Sequence, residues 1–359
     1  MPGVYLSYPF CAQKCTYCNF ASGVFPRELE PKYLEALRSE LRNTSWEWTP
    51  ETVYLGGGTP SLIDPDTLGG LLSEIPGAPW HEATMEAAPG GITPEKASAW
   101  RRTGINRVSL GVQSFNAREL SRTGRKHTAD VVEREIAILR TAGIDNFNID
   151  LIAGLPGQTV ESWGHSLEWV ERLAAPHVSV YMLEVDEDSR LGAEVMAFGK
   201  RYGAPDIPSD DMIADLYEIA VDRLARAGIS RYEISNFARP GFESRHNLKY
   251  WRREPYLGFG ADAHSIGGQW RWQNPESIEN YLGGSKPERT PADPIAERFF
   301  LGLRLSTGIE GDWAPFQPAI ERFLADGLLE TQGSALRLTP RGVLLSNEVF
   351  AEFVGAPVS

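Results

Sequence analysis

VYLSYPFCAQKCTYCNF, residues 4–20, decides how the rest of the chain is read. Its first five residues mix β-branched and aromatic side chains as a short strand does. Cys11, Cys15 and Cys18 follow directly, and the 359-residue chain has no other cysteine. Three thiols cannot all pair as disulfides, and a closed tetrahedral zinc site takes four ligands. Three thiolates on one short loop suit a metal centre that stays open on one side. A zinc ion completed by a distant histidine is the structural alternative.

Working outward from that first strand (4–8), further strand-like runs appear as TVYLGG (52–57), EATMEA (82–87), RVSLGV (107–112), FNIDLI (147–152) and VSVYML (178–183). Amphipathic helical stretches lie between them, at 31–42, 94–104 and 130–143, and the last two end in the stop residues Gly104 and Gly143. The longest helical pattern spans 210–228. Strand alternating with helix predicts an α/β protein whose parallel strands form a barrel or partial barrel with six repeating units, over about residues 1–230.

The pattern changes near residue 285. Helical runs at 296–305, 316–327 and 343–354 flank a hairpin turning at Gln332-Gly333, which predicts a small α+β, winged-helix-like domain over 285–359. Residues 231–284 are expected to connect the two. Lys286 to Glu352 contains seven basic and ten acidic side chains, so DNA is an unsuitable partner for that domain.

The whole chain supports this. Its formal net charge is −13, which excludes a phosphate backbone as a general partner. No apolar run approaches the roughly 18 residues of a membrane span. The first cysteine comes too early for a signal peptide. A reducing cytoplasm is the expected setting, and clustered thiols there mean metal or redox chemistry.

Polar residues recur where strands end. The cysteine loop follows the first strand and GGGTP (56–60) the second; Glu86, Gln113, Asp150 and Glu184 stand at or near the ends of the next four. Active sites of such barrels gather at the C-terminal ends of the strands. Taken singly, the glycines can be a tight turn, and Glu86, Asp150 and Arg125 solvated surface groups.

C-x-x-x-C-x-x-C at the end of a first strand, followed by GGGTP, resembles the radical S-adenosylmethionine (SAM) enzymes over most of the chain. The resemblance implies a [4Fe–4S] cluster held by Cys11, Cys15 and Cys18, with the fourth iron left for SAM, whose carbon–sulfur bond is cleaved to a 5′-deoxyadenosyl radical. Within that superfamily GVQSF (111–115), NIDLIAGLPGQT (148–159) and YEISNFARPG (232–241) are similar to the oxygen-independent coproporphyrinogen III oxidase group. Carried over position by position, the implied SAM contacts are Tyr5, Tyr17, Gly57, Gly58, Thr59, Glu86, Gln113, Arg125, Asp150 and Glu184. Ser7 and Ala88 depart from the family pattern beside that pocket.

Two features separate the branches. The oxidases carry a fourth cysteine where this chain has Phe20, and HNLKYW (246–251) resembles the H-N-x-x-Y-W signature of the HemW heme-chaperone branch. That branch implies heme as cargo, heme-acceptor proteins and an electron donor as partners, and leaves room for a homodimer and for peripheral docking at a membrane. His246, Asn247, Tyr250 and Trp251 are the heme contacts so implied, with His264 behind them. Imidazole is a common axial ligand of heme iron.

Overall fold

A computed structural model describes residues 2–354. Strands β1 (Gly3–Tyr8), β2 (Thr52–Gly57), β3 (Glu82–Ala87), β4 (Arg107–Gln113), β5 (Asn146–Ala153) and β6 (His177–Met182) lie side by side in parallel register. Helices α1 (Leu29–Arg42), α2 (Pro65–Leu72), α3 (Pro94–Arg102), α4 (Ala117–Arg122), α5 (Ala129–Thr141) and α6 (Val160–Arg172) connect them. The alternation of strand and helix read from the sequence is therefore present.

The strands alternate with period two, so successive side chains go to opposite faces. Val53 and Leu55, Ala83 and Met85, Val108 and Leu110, Phe147 and Ile149, and Val178 and Val180 join one buried core with helix residues such as Leu37, Leu41, Ile136 and Leu167. The intervening positions are polar: Tyr54, Glu86, Ser109, Asn148, Asp150 and Ser179. They bond to one another across strands, so the other face of the sheet is a polar interior.

Beyond β6 come α7 (Arg190–Met196), α8 (Asp210–Arg226) and the short strands β7 (Ser230–Arg231) and β8 (Asn236–Ala238), which extend the sheet antiparallel past β6. After α9 (Arg245–Trp251), strand β9 (Tyr256–Phe259) pairs in parallel with β1 at the other edge. There β10 (His264–Gly267), β11 (Trp270–Gln273) and, after α10 (Ile278–Leu282), β12 (Glu288–Pro291) continue antiparallel. The result is one twelve-stranded sheet. Strands within residues 231–284, expected to connect the two units, thus pair with the barrel strands in this sheet.

The C-terminal unit contains α11 (Pro294–Gly302), β13 (Ile309–Glu310), α12 (Gln317–Ala325), the hairpin β14 (Leu329–Gln332) and β15 (Ala335–Leu338), then α13 (Pro340–Leu344) and α14 (Ser346–Ala351). Gly333 takes φ +61° at the hairpin turn, a conformation glycine reaches at little cost. The single last helix expected from 343–354 is broken at Leu345, which leaves helical dihedrals (φ −108°, ψ 26°). The break lets Val343 on one side and Val349 and Phe350 on the other all be buried. No helix among the described residues is long and apolar enough to cross a membrane.

Candidate functional site

The cysteine loop is stitched to its surroundings by backbone hydrogen bonds. Cys11 N donates to Gly23 O (2.8 Å), Thr16 N to Thr123 O (3.3 Å) and Cys18 N to Cys15 O (3.4 Å), while Leu191 N donates to Thr16 O (2.8 Å). All three thiols are free and half-buried. Burial pushes the Cys11 thiol up, and the nearby Ser22 and Thr59 hydroxyls oppose that by hydrogen bonding. Among the described residues no three His, Cys, Asp or Glu side chains converge closely enough to grip a single metal ion.

The glycines after β2 are explained by backbone approach to this loop. A Cβ at Gly58 would stand 2.5 Å from Phe10 O, and one at Gly57, with φ +109°, 3.1 Å from Tyr8 O. Gly58 N donates to Tyr8 O (2.7 Å) and Thr59 N to Phe10 O (2.9 Å). GGGTP is thus the mould that shapes the thiol loop, and Gly57 N additionally donates to Glu86 Oε2 (3.1 Å).

Arg125 sits behind the thiols. Its Nη1 donates to Gly111 O (2.6 Å) and its Nη2 to the Tyr17 hydroxyl (3.4 Å), and both side chains lie close enough to Cys15 to feel charge there. Gln113 takes φ +72°, unusual outside glycine. Gln113 Oε1 and Arg125 Nε are buried with no hydrogen-bond partner among the described residues. Buried polar atoms are mostly paired; these two side chains meet at Gly111, and Arg125 lies beside Cys15.

Deeper in the polar interior, Glu86 accepts from the Tyr54 hydroxyl (2.9 Å). Burial, reinforced by the Asp150 carboxylate, pushes Glu86 up to about 7. Asp150 accepts from Asn148 Nδ2 (2.6 Å) and the Ser109 hydroxyl (3.2 Å). Burial raises it too, against those hydrogen bonds and one from Ser179. Tyr5 stacks on Tyr54 with ring centroids 6.1 Å apart and lies close enough to Glu86 to feel its charge. The structure therefore gathers Cys11, Cys15, Cys18, Tyr17, Thr59, Gln113 and Arg125 at one end of the strands, with Glu86, Asp150 and Tyr5 just below.

Glu184 does not join them. It is exposed beyond β6, where its carboxylate accepts from Asn347 Nδ2 of the C-terminal unit (3.1 Å).

His246 is also elsewhere. It lies at the opposite end of the strands, against Gly3, Thr52 and Glu82 at the starts of β1, β2 and β3. The residue is 0% exposed, with Nδ1 on Thr52 Oγ1 and Nε2 on the Tyr250 hydroxyl, both 2.8 Å. Both ring nitrogens of His246 are thus engaged by neighbours at the barrel floor, away from the cavity where the sequence reading expected a heme contact. Burial holds His246 neutral, at about 3. Asn247 serves the same helix start, its N donating to the Ser244 cap (3.3 Å).

Tyr250 and Trp251, by contrast, border a cavity of about 380 Å³ that also takes in Tyr5 and His264. Tyr54, Ser109, Asn148 and Ser179, which hold Glu86 and Asp150, escaped sequence reasoning. Their signal was the polar member of each period-two pair in T-V-Y-L, R-V-S-L, N-F-N-I-D and H-V-S-V.

The chain matches the radical SAM superfamily over residues 5–170 and the HemN C-terminal domain over 290–345. It is 34% identical to heme chaperone HemW of Bacillus subtilis, over 99% of this chain and 100% of the relative. It is 36% identical to heme chaperone HemW of Mycobacterium tuberculosis, over 98% and 95%, and 31% identical to mouse radical S-adenosyl methionine domain-containing protein 1, mitochondrial, over 95% and 84%. Its fold is similar to coproporphyrinogen III oxidase (HemN) from Escherichia coli, with a TM-score of 0.84 and 22% identity over 99% of this chain and 90% of that one. The chain belongs to the HemW family of the radical SAM superfamily.

Proposed function

We propose, from that membership, that the protein is a heme chaperone, which binds heme as cargo and passes it to acceptor proteins while holding a [4Fe–4S] cluster and SAM. The observation that carries the reading is identity of 34–36% along nearly the whole chain to heme chaperones. It is joined by Phe20, 66% exposed at the end of the thiol loop, where the oxidases it resembles have a further cysteine.

The donor set fits the cofactors. Three thiolates suit an iron–sulfur cluster, and Cys11, Cys15 and Cys18 would hold it with one iron left open. Gln113 Oε1 and Arg125 Nε, buried and unpaired, would meet SAM's polar groups, with Tyr17, Gly57, Gly58 and Thr59 lining its seat. Glu86, Asp150 and Tyr5 would hold its cationic part. When bound, the pair supplies one-electron reductive cleavage of a carbon–sulfur bond, and an electron donor is the partner this needs.

The chain's own contribution is electrostatic. Ionised Glu86, steadied by the Tyr54 hydroxyl and Gly57 N, offers a cation a buried carboxylate that water does not screen. Glu184 remains a SAM contact only if the exposed segment after β6 turns inward.

The test is direct transfer. Full-length protein reconstituted anaerobically and loaded with hemin is mixed with an apocytochrome b, and the acceptor's Soret band is followed. The expected rate rises with acceptor concentration, because transfer passes through a complex. A rate independent of acceptor would mean that heme merely escapes to solvent, and would overturn the chaperone reading.

A further inference from the structure

Strand register lines up five side chains along one face of the extended sheet. Tyr5 of β1 stands opposite Gly258 of β9, Tyr256 opposite Ile266 of β10, and Ile266 opposite Arg271 of β11. His264 lies two residues before Ile266 and so shares its face, while Ser265 between them points the other way and receives Gly258 N (2.8 Å). These residues floor the cavity of about 380 Å³, and Trp251, Arg253 and Leu301 wall it. That volume is within the ~300–1,000 Å³ of ordinary ligand pockets.

The chemistry of the walls is amphipathic in a specific way. Aromatic and aliphatic groups supply an apolar slot, and the Trp251 indole N–H, buried, has no partner among the described residues. At one side two guanidinium groups share a single carboxylate: Arg253 and Arg271 each donate through Nε to Glu297, the latter at 2.5 Å. Asp262 also borders the cavity, but Gln273 Nε2 donates to it (2.7 Å). A flat apolar ligand edged with carboxylates matches these walls, since guanidinium forks favour carboxylates. His264 is exposed, and its ring makes no hydrogen bond to another described residue. It is the histidine on this face with a nitrogen to give.

We propose that His264, and not His246, is the axial ligand of an iron porphyrin seated in this cavity, with Arg253 and Arg271 holding the porphyrin's carboxylates. The proposal rests on the heme-chaperone reading and deepens it. Tyr5 belongs to both the cavity and the Glu86 neighbourhood, so the cargo would lie alongside the SAM seat.

The experiment titrates hemin and, separately, metal-free protoporphyrin IX into the reconstituted full chain and two variants, His264→Ala and His246→Gln. The expected result is a shifted Soret maximum and at least tenfold weaker hemin binding in His264→Ala, with the original maximum restored by added imidazole. Protoporphyrin IX, lacking iron, is expected to bind that variant as it binds the parent, and His246→Gln to keep the parental Soret. An unchanged Soret and affinity in His264→Ala would overturn the ligand assignment alone. A parent protein that binds no hemin would overturn the chaperone reading, and this assignment with it.

Discussion

The two ends of the barrel are built from similar residue types, and individual groups in them are bonded differently. At the floor, buried Glu82 accepts from Arg245 N (2.9 Å), His246 N (3.0 Å) and the Ser244 hydroxyl (3.3 Å), meeting the start of α9 with a carboxylate. His246 spends both ring nitrogens on neighbours. At the other end three thiols are free, Gln113 Oε1 and Arg125 Nε have no partner among the described residues, and Glu86 sits high in its titration range. A polar group fully paired by its own chain is committed to structure. One left buried and unpaired costs about 1–3 kcal/mol, a cost that a ligand relieves. Buried atoms without a partner among the described residues also occur at the floor, as at Arg107 Nε and Asn146 Oδ1, so it is the free thiols that distinguish the other end.

That comparison breaks most visibly at the thiols. Cys15→Ala is expected to abolish cluster assembly, read as loss of bound iron and of visible absorption, while the apoprotein's melting temperature hardly moves. A fully loaded, SAM-responsive cluster in this variant would sink the assignment.

At the floor the effects should exchange. His246→Ala removes a buried ring and strands the Thr52 and Tyr250 hydroxyls, so urea unfolding should show a loss of about 3 kcal/mol, with the heme spectrum unmoved. An altered Soret at unchanged stability would return His246 to the heme.

The third effect is smaller and concerns protons. A bound cation favours ionised Glu86, whose carboxyl is held at about 7 without one. SAM binding therefore releases a proton below that value. Affinity should rise up to tenfold per pH unit toward 7 and level off above it, measured by calorimetry in buffers of different ionisation enthalpy. Glu86→Gln should bind more weakly at neutral pH and lose this pH dependence; a parent profile flat from 5 to 8 would remove Glu86 from the SAM seat.

Much of this was legible in the sequence, for physical reasons. Strand ends 57 and 87 were readable because apolar alternation stops where glycine or a polar turn begins. The thiol loop was readable because all three cysteines fall within eight residues of one another. HNLKYW forms a helix in which His246 and Tyr250, four residues apart, meet at 2.8 Å. What sequence spacing could not reveal is which way that helix faces, since floor or cavity is decided by contacts with Thr52 and Glu82, far away in the chain. His264 suffered the reverse: four residues of strand gave little signal, yet sheet register puts it on the face that carries Tyr5 and Tyr256. Glu184, just past a strand, follows its loop, and that loop leads to Asn347.

The most direct measurement is an anaerobic assay of the reconstituted, SAM-loaded protein with coproporphyrinogen III and a low-potential reductant, scored for protoporphyrinogen. A heme chaperone with Phe20 on its thiol loop should form none, with its cluster intact and SAM bound. Multiple turnovers would contradict that account, make the protein a decarboxylase, and turn the cavity over Tyr5 and His264 into its substrate pocket.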